Sequence, residues 1–134
     1  MNEAQLQQQV ADYIRLRYPG VLFHSDYGSG IKLTARQASI QKRQNGGLRG
    51  WPDMFIAHPV SRCIDGSWDY QWCGLFIELK KDGTRIKKKN GEWASEHIAE
   101  QAEVLDRLNF RGYKAEFAVG FEEAKRLIDW YLGK

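Results

Sequence analysis

The segment Gly74-Leu75-Phe76-Ile77-Glu78-Leu79-Lys80 ends an apolar run with a carboxylate and an ammonium two residues apart. Side chains of an extended strand alternate between its faces, so Glu78 and Lys80 share one face while Leu75, Ile77 and Leu79 fill the other. A second acidic residue, Asp53, follows the glycine-dense stretch from Gln44 to Pro52 and leads into the apolar run Met54-Phe55-Ile56. If these two runs pair antiparallel through the chain that joins them, Asp53 near the start of one faces Glu78 near the end of the other. Two carboxylates held together repel, and a divalent cation is the usual resolution at neutral pH. Mg2+ takes one or two carboxylates and fills its octahedron with waters and phosphate oxygens. The backbone carbonyl of Leu79 offers one more oxygen. An ion held there polarises a phosphate and acidifies a bound water, while Lys80 orients that water or stabilises charge developing on the phosphate. The chemistry these residue types suit is phosphodiester hydrolysis. Plainer readings stand beside it: Glu78 and Lys80 as a solvent-facing ion pair, Asp53 as a turn residue.

Basic residues cluster on either side of these positions, as Arg36, Lys42, Arg43 and Arg49 before Asp53 and as Lys80, Lys81, Arg85, Lys87, Lys88 and Lys89 after Glu78. The net charge of +3 permits a polyanionic partner, and this distribution places the cations where a nucleic-acid backbone would be held. A solvated loop face is the alternative.

The elements that must position these groups are legible from periodicity. Glu3 to Arg17 carries Leu6, Val10, Tyr13 and Ile14 at helical spacing and is stopped by Pro19-Gly20. Val21 to His24 reads as a short strand, Gly28-Ser29-Gly30 as a turn, and Thr34 to Arg43 as a polar helix. Pro52 biases Trp51 towards extended backbone, and a strand runs from Asp53 to His58. Pro59 opens a polar hairpin, from which Trp72 to Lys80 returns as a strand. Lys81 to Glu92 reads as a basic loop. A helix starting near Ser95 carries Ile98, Ala102, Leu105 and Leu108 on one face until Gly112 ends it. Lys114 to Val119 is a strand, and Phe121 to Leu132 is a closing amphipathic helix with Phe121, Ala124, Leu127, Ile128 and Tyr131. The 134 residues suffice for one core, so residues 1–134 are expected to form a single α/β domain with a central mixed β-sheet flanked by α-helices.

Gly50-x-Pro52-Asp53 followed by Glu78-x-Lys80 resembles the PD-(D/E)xK nuclease superfamily and, more narrowly, its VRR-NUC branch. There a Gly-x-Pro-Asp precedes an apolar strand ending in Glu-x-Lys, then a helix with a Gln, then Gly-Tyr ahead of another strand. Gln101 and Gly112-Tyr113 stand in that order here. The resemblance spans nearly the whole chain. It implies a restriction-endonuclease-like core, a Mg2+- or Mn2+-dependent endonuclease acting on DNA, and catalytic roles for Asp53, Glu78, Lys80 and Gln101. Metal ligands would be Asp53, Glu78, the Leu79 carbonyl and a first-helix acid, Glu3, with Gln7 as its substitute. Arg36, Lys42, Arg43, Arg49, Lys81, Arg85, Lys87, Lys88 and Lys89 would contact DNA. Stand-alone phage- or bacterial-type members resemble Holliday-junction resolvases, which act as homodimers on branched DNA. Gln101 alone also fits a hydrogen bond closing a gap in the core, and Glu3 an acidic first-turn residue behind an Asn2 cap. The Pro59 to Trp72 hairpin looks long for the family, and the loop with Lys87 to Lys89 unusually basic.

Other function classes compete. A nicking, flap-cutting or restriction-type nuclease fits the same motif, and so does a DNA-binding module that has lost chemistry. No apolar run approaches the ~20 residues of a membrane-spanning helix, and Met1-Asn2-Glu3 with its glutamines does not start like a secretory signal, so a cytoplasmic location is expected in a bacterial or phage-infected cell. Cys63 and Cys73 flank the hairpin where adjacent strands could bring them together, and reduced thiols are expected. His24, His58 and His97 form no zinc pattern with them. Trp68, Tyr70 and Trp72 in the hairpin read first as packing residues.

Overall fold

The computed structural model describes residues 1–26 and 32–133; the expected turn at Gly28, Ser29 and Gly30 lies outside them. The elements follow in the order α1 (Glu3–Arg17), β1 (Phe23–Ser25), α2 (Ala35–Gln44), β2 (Met54–Ile56), β3 (Val60–Ile64), β4 (Ser67–Trp72), β5 (Leu75–Lys80), α3 (Glu96–Phe110), β6 (Lys114–Val119) and α4 (Gly120–Leu132). Among the described residues β1, β2, β5 and β6 form one sheet in that order, antiparallel except for the parallel pair β5 and β6. The expected mixed α/β architecture is present. β3 and β4 form a separate hairpin.

The two faces of β5 dictate the layering. Leu75, Ile77 and Leu79 are fully buried in a core with Leu6, Val10 and Ile14 of α1 and Ala124, Ile128 and Tyr131 of α4. At ~1.5–3 kcal/mol for each fully buried aliphatic side chain, this face supplies the larger share of apolar stabilisation. The Tyr13 and Tyr18 hydroxyls both donate to Asp129 Oδ1, fastening α1 to α4. On the opposite face α3 packs Val104, Leu105 and Leu108 against Ala115, Phe76, Tyr113 and Phe117. Phe76 stacks on Phe55 with centroids 4.3 Å apart.

Caps fall where the sequence places them. Asn2 and Thr34 each close a capping box, Ser95 Oγ accepts from the Ile98 amide, and Gly112 follows α3 at φ +95°. Some boundaries shift for identifiable reasons. The expected strand from Trp72 to Lys80 is broken at Cys73-Gly74. A side chain at Gly74 would meet the Phe55 ring at 2.6 Å, so the chain turns there under the aromatic stack. The hairpin closes on Asp65-Gly66, both at positive φ, a turn whose twist suits two-residue loops. That register sets Cys63 opposite Trp68 and leaves Cys73 beyond β4, so the cysteines are not neighbours; both are free and exposed. Trp68 and Tyr70 stand 74% and 64% exposed rather than packed, because the hairpin projects from the sheet; only Trp72 turns inward, against Trp130 and Tyr131. On α3 the core-facing positions include Gln101 and Val104, while Ala102 is only half-buried. α2 buries no residue. No helix among the described residues is long and apolar enough to cross a membrane.

Candidate active site

β2 and β5 pair with Met54 opposite Ile77, so one more step along the ladder brings Asp53 opposite Glu78. Asp53 sits just before β2, and its Oδ2 accepts the Leu79 amide at 2.8 Å. The parallel partner strand explains why that amide is available. Lys114 donates to Gly74 O, so even-numbered residues of β5 direct their backbone groups to β6 and odd-numbered ones to β2. Leu79 therefore looks towards position 52, where Pro52 has no N–H to give. The Asp53 carboxylate takes the Leu79 amide, and the Leu79 carbonyl is left without its ladder donor.

Glu78 and Lys80 share the face turned to α3, and the structure buries them both, 4% and 5% exposed, which removes the solvent-facing ion pair as an explanation. Lys80 Nζ lies 3.8 Å from Glu78 Oε1, an ion-pair distance beyond that of a good hydrogen bond. Gln101, also buried, donates its amide to the same Glu78 oxygen at 2.6 Å. The other oxygen, Glu78 Oε2, is buried without a hydrogen-bond partner among the described residues, as is Gln101 Oε1. Burial, then the charge of Asp53, outweigh the Lys80 ammonium and hold the Glu78 carboxyl well above the usual carboxylate range.

Glycine and tryptophan complete the Gly-x-Pro-Asp segment. Gly50 adopts φ +80°, a conformation side chains rarely take, and a Cβ there would lie 3.1 Å from the Gln101 backbone, so any side chain would strain the loop and press on α3. Trp51 Nε1 donates to Asn45 O at 3.0 Å and ties the loop to the end of α2.

The donor set is one of hard oxygens: a buried carboxylate with an orphaned atom, a second carboxylate beside it, and a carbonyl without its ladder donor. Such a set fits Mg2+ or Mn2+, which need no more than one or two protein carboxylates. Asn2 caps α1 and Glu3 occupies the first turn, half-exposed, and among the described residues no three His, Cys, Asp or Glu side chains converge. The charge of Glu3 still reaches Glu78 and adds to the rise of its pKa. Gln7 is buried too, but it donates to Asp26 O at 2.9 Å rather than turning to the carboxylates. Asp26 escaped sequence reasoning: its amide donates to Asp53 O at 2.7 Å, locking β1 to the entry of β2. Its only sequence signal was the neighbouring strand.

Arg36, Lys42, Arg43, Arg49, Lys81, Arg85, Lys87, Lys88 and Lys89 are all exposed. Lys42 and Arg49 line a cavity of about 900 Å³ between α2 and α3, walled also by Gly50, Trp51 and Asp26. Lys81 to Lys89 follow the end of β5 directly. Lys87 sits 4.7 Å from the Trp93 ring centroid and is thereby partly engaged.

The sequence matches no known family profile and no curated protein. Among solved structures, a "VRR_NUC domain protein" is similar over 99% of this chain and 89% of that one, at 21% identity and a TM-score of 0.64. This chain thus has the fold of a VRR_NUC domain.

Proposed function

We propose that the protein is a metal-dependent endonuclease that hydrolyses DNA phosphodiester bonds. The observation that carries this reading is the cluster at the end of β5, in which half-buried Asp53 stands beside the buried Glu78, Lys80 and Gln101, with an orphaned Glu78 carboxylate oxygen inside it. Asp53, Glu78 and the Leu79 carbonyl would hold Mg2+ or Mn2+, which when bound lowers the pKa of a water and offsets phosphate charge. The chain's own groups do the rest. Gln101 fixes one oxygen of Glu78, so the carboxylate cannot rotate freely. Asp53 is pinned by the Leu79 amide. Lys80 is held with its ammonium beyond hydrogen-bond reach of Glu78, leaving donors to place a water or stabilise the forming phosphorane charge. The basic residues of α2 and of the loop after β5 neutralise the phosphates on either side.

The substrate we assign is branched DNA, cut as a Holliday junction by a homodimer. One small domain carries one such site, and two opposed incisions need two copies related by symmetry. A nicking, flap-cutting or restriction-type nuclease would use the same residues. The test is cleavage of labelled four-way junction, flap, single-stranded and linear duplex DNA in Mg2+ or Mn2+, beside a chelator control. Paired symmetric cuts confined to the junction support the resolvase; metal-dependent cutting elsewhere reassigns the substrate; salt-sensitive binding without cleavage in either metal leaves a DNA-binding module.

A further inference from the structure

β6 is an outer strand of the sheet, and its free edge is treated unequally along its length. Because Lys114 donates to Gly74 O, residues 114, 116 and 118 direct their backbone groups to β5, and residues 115, 117 and 119 direct theirs outward. Ala115 is closed off: its amide donates to Asn109 Oδ1 and its carbonyl accepts from Asn109 Nδ2, both at 2.9 Å, as a neighbouring strand would bond it. No described side chain does the same for Phe117, one step along. Unpaired strand edges invite another strand.

A groove of about 800 Å³ runs beside this stretch. Ala99, Ala102 and Leu105 of α3 line it opposite the aromatic floor of Trp93 and Phe117, whose rings lie 6.2 Å apart. Its rim carries Glu103, Asp106, Glu116 and Glu123, with Lys87 as the cation among them, held over the Trp93 ring. Lys114 pairs with Glu116 at 3.2 Å, whereas Glu103, Asp106 and Glu123 have no ion pair among the described residues. A protein of net charge +3 thus concentrates unneutralised carboxylates around an apolar trough beside an open strand edge.

We propose that this groove binds a short extended segment of a partner protein, in which Lys or Arg alternates with an apolar residue, by adding it as a strand to β6. Main-chain hydrogen bonds to Phe117 give the pairing, the apolar side chain enters between Trp93 and Ala102, and the flanking cations meet Glu103, Asp106 and Glu123. The open edge from Phe117 to Val119 spans roughly 10 Å, enough for three or four residues. The assignment does not rest on the nuclease reading.

The probe is a synthetic acetyl-Arg-Val-Arg-Val-Arg-amide titrated into the isotopically labelled full chain, with acetyl-Glu-Val-Glu-Val-Glu-amide as its counterpart. The expected result is a shift and slowed exchange of the Phe117 amide with the basic peptide alone, and roughly tenfold weaker binding to the Glu103→Lys/Asp106→Lys variant, whose substitutions are on the exposed face of α3. Equal binding of both peptides, unchanged affinity in the variant, or no response at Phe117 overturns the proposal. So does a concentration-dependent dimer that the same variant dissociates, since a second copy would then fill the groove.

Discussion

The two faces of β5 were made from alternate residues of one six-residue strand and serve opposite ends. One face buries Leu75, Ile77 and Leu79 to 1% exposure or less among aliphatic partners of α1 and α4. The other buries Glu78 and Lys80 almost as completely, against a helix that answers with Gln101. Burying a paired carboxylate and ammonium gains little or nothing over an apolar pair of the same volume. The chain is therefore stabilised by one face and tolerates strain on the other, a division expected where a strand must both anchor a fold and present chemistry.

Substitutions that separate activity from stability distinguish the two faces. Asp53→Ala or Glu78→Ala should lower single-turnover cleavage by about 10²–10³-fold or more while leaving the folded spectrum intact. Ile77→Ala on the opposite face should do the reverse: a loss of ~2–5 kcal/mol in denaturant unfolding, with the activity of the remaining folded protein unchanged. The double variant Glu78→Gln/Lys80→Met removes both ionisable groups from the second face and should unfold at equal or higher denaturant than the parent, yet be inactive. Gly50→Ala tests the approach of the loop to α3; it should cost ~1–3 kcal/mol through the positive φ and reduce cleavage through displaced Gln101.

The smallest expected effect is a pH slope. Glu78 in the folded, metal-free protein holds its proton to higher pH than it would in the unfolded chain. Its contribution to stability is therefore complete below the ordinary carboxylate pKa and is lost as pH rises from there towards the raised folded value. Urea unfolding in chelator should show stability declining across that window, and Glu78→Gln should flatten the decline. A divalent ion that favours the ionised carboxylate should offset it, with a stabilisation of ~2.7 kcal/mol at a hundred times its Kd.

Most of this division was legible in the sequence. Period-two alternation alone separates Leu75, Ile77 and Leu79 from Glu78 and Lys80, and the helical spacing of Gln101 from Ile98 and Leu105 turns it to the sheet. What alternation does not carry is burial: nothing local in Glu-Leu-Lys distinguishes an exposed ion pair from one covered by a helix twenty residues away. Nor does it carry loop contacts. The role of Asp26 depends on a backbone bond to Asp53, and that of Gln7 on where β1 ends, both set by packing. For Glu3 the spacing gives the helical face, while the Asn2 cap that sets it in the first turn and the reach of its charge to Glu78 come only from the packing of α1. The exposed Trp68 and Tyr70 were misjudged because a two-stranded hairpin offers aromatic side chains no second layer.

Whether the polar face of β5 is a metal-dependent hydrolytic site is read from the single-turnover rate of cleavage of a labelled four-way DNA junction as Mg2+ is titrated, for the parent chain and for Asp53→Ala. Cleavage that rises with Mg2+, is abolished by chelator and is absent from Asp53→Ala at every concentration is the predicted result. Cleavage by the parent that persists in chelator, or that survives in Asp53→Ala with the same Mg2+ dependence, contradicts it.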